Sequence, residues 1–155
     1  MKMFAFNLKR VGFIGLFFLL LANSAYVLAV DRVLHLDVKA ALDAGFSSGK
    51  LDGSVKFYFA GQGTPKVLKT LEEDVTNKKS NAFGKAKEEA CQWVMLSALM
   101  QLQEGAKARG ANAVIGITSY YKRVEYKSAS QYECHAGNMI SGVALKGRYA
   151  KLASK

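Results

Sequence analysis

The sequence contains few of the residue types that build catalytic and metal-binding sites. Its 155 residues include two cysteines, two histidines and one proline. Two cysteines do not make a zinc-type cysteine set. The histidines, His35 and His135, lie far apart in the chain, and no Ser/His/Asp or Cys/His set can be assembled around either one. We therefore predict no catalytic residue, and we interpret both histidines as surface or core side chains.

The chain also lacks a phosphate-binding loop. Residues 45–50 (GFSSGK) place three residues between their glycines where a P-loop has four, and Leu51 stands where a metal-binding Ser or Thr is needed. Residues 61–63 (GQG) lack the third glycine of a dinucleotide site. Residues 110–116 lead into a strand, so no helix N-terminus would face a phosphate. The sequence predicts no cofactor, no nucleotide and no DNA as a ligand.

Acidic residues are absent from the first thirty positions. Lysines and an arginine there precede an apolar run over residues 11–21, and residues 27–29 (VLA) place small side chains at the −3 and −1 positions of a cleavage site. This pattern is typical of a signal peptide. We expect residues 1–29 to be removed after Ala29 and residues 30–155 to form a single periplasmic domain.

An uncleaved membrane anchor is the alternative interpretation of this segment. Residues 11–29 are just long enough to span a bilayer, which would fix the protein to the inner membrane. No cysteine occurs among the first thirty residues, so the segment offers no site for lipid attachment.

Basic residues outnumber acidic ones by 22 to 12, for a net charge of +10. Residues 1–29 hold three of the basic residues and none of the acidic ones, so the remainder carries about +7. Such a charge favours anionic partners, for example nucleic acid, lipid head groups or cell-wall polymers. The lysines form only loose clusters, at residues 78–87 and 122–127, and we interpret them as an ordinary solvated surface, since charge runs usually mean only that.

The residues between Glu88 and Ile117 form the most informative stretch. Residues 90–102 are almost all apolar or small, which predicts a helix buried over most of its circumference. Gly110 is placed to end this helix as a C′ glycine. The apolar residues 113–117 then predict a central strand.

The remaining segments predict a sheet. Residues 55–59 and 66–75 have the character of strands, with a polar loop at 76–84. Residues 40–44 indicate a short helical turn closed by Gly45. After the central strand, residues 121–127 are interpreted as its continuation, and a further strand begins at 131 and is broken by Gly137. The alternation over residues 143–149 indicates a half-exposed antiparallel strand. The predicted fold class is α+β, an antiparallel sheet packed on one long helix.

Cys91 and Cys134 suggest a disulfide bond. An even number of cysteines in an exported chain, one on a buried helix and one in a late strand, favours this interpretation. The alternative is a metal site formed by Cys91, Cys134 and His135. Neighbouring residues of a strand point to opposite faces, which makes Cys134 and His135 poor joint ligands.

Several segments resemble a family of small exported bacterial proteins that often carry the automatic label "excinuclease ATPase subunit". The resemblance lies in KLDGSVKFYF, EEACQWVMLSAL, GANAVIGI, SYYK, YECHAG and GVALKG, and it covers nearly all of residues 30–155. The label implies an ATPase, but the sequence has neither a P-loop nor a zinc-type cysteine set.

The helix and the following GANAV strand are also similar to the YbjQ-type domain, labelled as heavy-metal-binding, and to the periplasmic domain of the lipoprotein RcsF. In RcsF-like domains a helix cysteine and a late-strand cysteine form a disulfide, which implies the pair Cys91 and Cys134 here. The present chain differs by lacking the lipid-bearing cysteine and a second cysteine pair.

These observations lead us to expect a non-enzymatic envelope domain that binds a partner or accompanies a stress response. Two alternatives stay open at this point. One is a metal-handling protein or enzyme that uses Cys91, Cys134 and His135. The other is binding of an anionic polymer, such as lipopolysaccharide or nucleic acid, through the basic surface. The partner would be an envelope protein or an anionic envelope polymer.

Overall fold

The computed structural model describes residues 32–153, and the predicted signal peptide lies outside them. The described chain consists of six strands, two α-helices and one 3₁₀ turn. In chain order these are β1 (Arg32–Asp37), α1 (Val38–Ser47), β2 (Lys56–Phe59), β3 (Val67–Asn81), α2 (Lys87–Ala108), β4 (Ala113–Ser119), the 3₁₀ turn (Tyr121–Arg123), β5 (Gln131–Ala136) and β6 (Ile140–Leu152). The predicted α+β class is confirmed.

Strand β6 is the central element of the sheet. Along one edge it pairs antiparallel with β3, from Val67 opposite Leu152 to Asn81 opposite Ile140. Along its other edge it pairs with β4 and, at its beginning, with β5. Strand β1 extends the sheet beyond β5, and β2 extends it beyond β4. The long helix α2 contacts β3, β4, β5 and β6 and covers the inner face of the sheet.

The sheet is mixed, so the prediction of a purely antiparallel sheet was wrong. Strands β2 and β4 run parallel, with Lys56 opposite Ala113 and Phe57 opposite Val114. The connection between them includes the whole of α2, and a crossover through a helix is the usual way to bring two parallel strands together. The alternation of side chains shows that a segment is a strand but does not show its direction.

The predicted loop at residues 76–84 is also partly wrong, because β3 continues to Asn81. Residues 76–81 pair with residues 140–145 of β6, which satisfies the backbone groups that face β6. Their polar composition fits an edge strand, where charged side chains, lysine in particular, oppose pairing with other chains. The polar composition of residues 76–81 predicted a loop, but these residues form a strand because they pair with β6.

Helix α2 matches the predicted helix closely. Glu88 and Glu89 lie in its first turn, and Lys107 lies in its last turn, as the helix dipole favours. Gly110 adopts a φ of +62° just beyond the helix. The amide of Ala111 donates to the carbonyl of Ala106 at 2.9 Å, and that of Gly110 donates to Lys107 at 3.0 Å. These two bonds form a Schellman motif, which explains why the helix ends here.

Helix α1 is longer than the helical turn predicted for residues 40–44. Asp37 caps its start, since the side chain accepts a hydrogen bond from the amide of Ala40 at 2.6 Å. Gly45 does not end the helix but lies inside it, buried against Leu51. A Cβ atom at Gly45 would lie 2.5 Å from Cδ1 of Leu51. The glycine is therefore required for close packing rather than for helix termination.

The hydrophobic core lies between α2 and the inner face of the sheet. Its largest fully buried side chains are Tyr132, Tyr149, Phe59, Leu51, Met95, Leu99, Leu102, Ile117, Leu145, Val38, Val55 and Val94. Among the described residues, no helix is long and apolar enough to cross a membrane.

Candidate functional site

A disulfide bond joins Cys91 and Cys134, which confirms the predicted pairing. Both residues are fully buried, and their Cα atoms are 5.9 Å apart. The bond fixes the first third of α2 to the middle of β5. Both sulfur atoms are covalently paired inside the core, so neither acts as a thiolate ligand or a nucleophile while the bond is intact.

His135 lies on the opposite face of β5 from Cys134. The burial of β5 alternates, with Tyr132, Cys134 and Ala136 buried on the inner face. Glu133 and His135 belong to the outer face, which no helix covers. The structure therefore does not bring His135 together with the two cysteines. Within residues 32–153, no group of three or more His, Cys, Asp or Glu side chains is arranged to hold a metal ion.

On this outer face the two histidines flank one carboxylate. His135 Nε2 donates a hydrogen bond to Glu133 Oε1 at 2.7 Å. His35 Nε2 lies 3.8 Å from the other oxygen, Oε2, because His35 is the direct partner of Glu133 across the β1–β5 pair. The histidines, far apart in the sequence, are thus brought together by strand pairing. The hydrogen bond to Glu133 orients the ring of His135.

Two tyrosines cover the histidine rings. The ring of Tyr121 stacks on His135 with centroids 3.4 Å apart and an angle of 15° between the planes. Tyr126 lies against His35 with centroids 4.4 Å apart. These contacts leave the His135 side chain only 14% exposed. The outer face of the sheet therefore carries an ordered aromatic and polar cluster rather than loosely solvated side chains.

The segment that supplies both tyrosines folds back over the sheet. Residues 121–127, predicted to continue β4, instead form the 3₁₀ turn and a return. Ser119 and Tyr126 exchange two backbone hydrogen bonds of 3.0 and 2.9 Å. Lys122 and Arg123 adopt left-handed conformations, with φ of 51° and 66°. Non-glycine residues reach this region at a cost of order 1–3 kcal/mol each, and such residues concentrate at binding sites.

An ion pair holds the same segment onto β6. The ammonium of Lys146 binds the carboxylate of Glu125, and Lys127 lies 3.3 Å from the same carboxylate. These two lysines lower the pKa of Glu125 below its usual range, mainly through the hydrogen bond from Lys146. The amide of Tyr120 also donates to the carbonyl of Ala144 at 2.8 Å. Tyr121 is therefore placed over His135 by backbone and side-chain contacts together.

Beside this cluster lies an open cavity of about 320 Å³. Its floor is a cross-strand row in which Gly142 of β6 has Lys79 of β3 on one side and His135 of β5 on the other. Because Gly142 has no side chain, the row is open at its middle. The cavity is lined by Lys79, Tyr121, His135, Gly137, Asn138, Met139, Ile140 and Gly142.

Three exposed apolar side chains lie at the same end of the molecule. Phe83 is 69% exposed, Met139 is 61% exposed and Ile140 is 55% exposed. Phe83 and Met139 come from two connections that lie side by side, since the amide of Ala82 donates to the carbonyl of Met139 at 2.9 Å. Ile140 is the first residue of β6 and is paired with Asn81. We refer to residues 78–87 together with residues 137–140 as the tip.

The tip is also basic. Four lysines belong to it, namely Lys78, Lys79, Lys85 and Lys87. The nearest acidic residues in the chain, Glu88 and Glu89, line a groove with Leu36 and Ala40 on the α1 side of α2. The tip thus combines exposed apolar side chains with positive charge.

The exposed apolar residues of the tip were not identified from the sequence. The signal that was overlooked is the presence of apolar residues inside turn segments, NAFGK and GNMI, where polar residues are usual. The lysine cluster at residues 78–87 was noted, but only the structure brings the β5–β6 connection beside it.

Comparisons with protein-family models, with curated proteins and with solved structures find no match for this chain. The functional argument therefore depends on the geometry of the tip and of the outer face.

Proposed function

We propose that this protein is an exported, non-enzymatic domain of the bacterial envelope that binds an anionic lipid surface through its tip. The observation that supports the proposal most strongly is the combination of Phe83, Met139 and Ile140 with four lysines at one end of the molecule. Scattered single apolar residues are normal on a protein surface, but three that lie at one end of the molecule form a patch typical of an interaction site.

The chemistry of the tip matches a membrane surface. Apolar side chains that project from a rigid edge enter the boundary between head groups and acyl chains, while lysines contact the anionic head groups. Each lysine near such a surface contributes about 1 kcal/mol of electrostatic attraction. The lysines and the apolar residues lie together, so one orientation of the protein satisfies both requirements.

Nucleic acid is the competing anionic partner. A protein surface that binds nucleic acid uses lysines together with aromatic side chains on which the bases stack. The non-aromatic apolar side chains of Met139 and Ile140 would have no role in such binding. The exposure of these two residues therefore favours a lipid surface. An envelope protein as partner would require an apolar patch without the surrounding lysines, since charged residues are depleted at the core of protein–protein interfaces.

The proposed location follows from the sequence. The signal-peptide pattern in residues 1–29, and the likeness of the helix–strand unit to RcsF-type and YbjQ-type domains, support export to the periplasm. We expect protein from the periplasmic fraction to begin at or within a few residues of Val30. Intact-mass measurement tests this expectation, and a full-length species in the inner membrane would contradict it.

Vesicle sedimentation tests the proposed function. Mature protein is mixed with vesicles of phosphatidylglycerol and phosphatidylcholine, or of phosphatidylcholine alone, at low and high salt. We expect binding only to the anionic vesicles, at least tenfold weaker binding for the double variant Phe83→Ser, Met139→Ser, and unchanged binding for Leu68→Ser. Leu68 is a matched control because it is 62% exposed at the other end of β3.

Two results would overturn the proposal. One is equal binding to both kinds of vesicle, or to neither. The other is an equal loss of binding for the tip variant and the Leu68 control. Retention on a DNA column that is unaffected by the tip substitutions would instead support the nucleic-acid alternative.

A further inference from the structure

The cavity next to the tip has a composition suited to a small anionic group. Its lining contains one ammonium from Lys79, one imidazole from His135, one phenol ring from Tyr121 and one amide from Asn138. Among residues 32–153, none of the side chains that line the cavity is a carboxylate. Outside the lining, Glu133 accepts a hydrogen bond from His135 and lies 3.8 Å from His35 Nε2.

The cavity and the apolar tip share two residues. Met139 and Ile140 line the cavity and are also exposed apolar residues of the tip. A molecule with its polar end between Lys79 and His135 would thus have its apolar end beside Met139 and Ile140. This is the arrangement of polar and apolar parts in a phospholipid.

We propose that this cavity binds the phosphate group of an anionic lipid headgroup when the tip is seated on the membrane. The proposal rests on the proposed function and adds a specific ligand group to it. Lys79 supplies the positive charge that binds the phosphate, and Tyr121 forms one wall of the cavity. Gly142 provides the space, because its lack of a side chain leaves the row between Lys79 and His135 open.

Gly142 allows the cavity to be filled without a change of charge. A Cβ atom at this position would lie 3.6 Å from Cε2 of Tyr121 and 3.8 Å from Cγ of Lys79, which are ordinary van der Waals distances. Its φ is not in the left-handed region. Gly142→Ala is therefore expected to fold normally, while Gly142→Val fills more of the floor of the cavity. Lys79→Gln changes an exposed side chain and keeps its approximate length.

The test is a titration of ¹⁵N-labelled mature protein, followed by amide chemical shifts. One probe is dihexanoyl phosphatidylglycerol below its critical micelle concentration, and the other is inorganic phosphate. We expect saturable shifts at the amides of Gly137, Asn138 and Gly142 with the short-chain lipid, and weaker shifts at the same amides with phosphate. Affinity for the lipid should fall at least tenfold in Gly142→Val and several-fold in Lys79→Gln.

The outcomes separate this inference from the proposed function. If the short-chain lipid shifts none of these amides, or if Gly142→Val and Lys79→Gln both bind it as wild type does, the cavity is not the headgroup site. In that case wild-type protein would still sediment with anionic vesicles, because the tip alone would provide the binding and the proposed function would stand. If inorganic phosphate binds with the same affinity as the short-chain lipid, the site is one for free phosphate, and the assignment to a lipid headgroup is wrong.

Discussion

Lys79 and His135 lie on opposite sides of Gly142 in a single cross-strand row, because β3 and β5 pair with the two edges of β6. This relationship depends on the pairing of β6 with β3 along one edge and with β5 along the other. It places a lysine from the basic segment beside the histidine cluster of the outer face. The tip, the cavity and the outer-face cluster are therefore parts of one surface.

Reduction of the disulfide should destabilise the domain substantially. Cys91 and Cys134 are separated by 43 residues. In the chain-entropy account, closing a loop of that size removes roughly 4 kcal/mol of denatured-state entropy. We expect guanidinium unfolding of the reduced protein to have a clearly lower midpoint than that of the oxidised protein. The double variant Cys91→Ala, Cys134→Ala should unfold near the reduced protein and show no response to reductant. Equal midpoints for oxidised and reduced wild type would contradict this expectation.

Gly105 and Tyr149 should be energetically coupled. A Cβ atom at Gly105 of α2 would overlap the hydroxyl group of Tyr149 on β6. That hydroxyl donates a hydrogen bond of 2.5 Å to Asp74 on β3 and cannot easily move. Burial and this hydrogen bond raise the pKa of Tyr149 well above its usual range, so the phenol stays protonated.

We expect Gly105→Ala to lower the free energy of unfolding by about 1–3 kcal/mol through overpacking. In a Tyr149→Phe background the loss should be smaller, because the hydroxyl that blocks the new methyl group is gone. Urea unfolding of the two single variants and the double variant gives the coupling energy. Additive effects would show that the helix and β6 do not meet as closely as described.

Asp52 should give the domain a stability that depends on pH. The ammonium of Lys107 binds its carboxylate, and the amide and hydroxyl of Ser54 donate to it at 3.0 and 2.6 Å. These contacts, the one from Lys107 first, hold the pKa of Asp52 well below its usual range. A carboxyl group whose pKa is lower in the folded state stabilises that state at pH values above its unfolded pKa, about 3.9. The stabilisation is lost as the pH falls from there through the folded pKa.

We therefore expect Asp52→Asn to be less stable than wild type at pH 7. The difference between the two proteins should shrink progressively below about pH 4, the region of the unfolded-state pKa. Urea unfolding at a series of pH values measures it. A difference that is the same at pH 7 and at pH 2.5 would mean that the charge of Asp52 has no part in the effect.

Several elements could be predicted because their signals are local. The end of α2 at Gly110 follows from a glycine that adopts a positive φ, and the disulfide follows from two cysteines in an exported chain. The strand predicted over residues 143–149 is present as part of β6, but it is not half-exposed as expected, since residues 141–145 are all buried. Each of these features depends on a few neighbouring residues and on a general physical preference.

The missed features depend on contacts between distant segments. The polar residues 76–81 form a strand only because β6 is long enough to pair with them. Gly45 looked like a helix end, but Leu51 requires a glycine there. Trp93 belongs to the apolar run at residues 90–102 that predicted a mostly buried helix, but its side chain is 47% exposed. The ammonium of Lys50 lies over its ring, 4.0 Å from the ring centroid. The tip could not be predicted from the sequence, because it forms only where the β3–α2 and β5–β6 connections lie side by side.

The position of Trp93 offers a direct way to test where the protein meets the membrane. It is the single tryptophan of the chain and lies on α2, where its ring contacts the ammonium of Lys50. The double variant Trp93→Phe, Phe83→Trp moves the only indole to the tip. Wild type then serves as the control, since its indole should report no contact with lipid.

The deciding measurement is the tryptophan emission spectrum of this double variant with and without phosphatidylglycerol vesicles, together with quenching by lipids brominated on their acyl chains. If the tip enters the membrane, the emission of the double variant shifts to the blue and is quenched, while the emission of wild type is unchanged. If the variant sediments with the vesicles but its emission neither shifts nor is quenched, the protein binds through another surface and the proposed function is wrong.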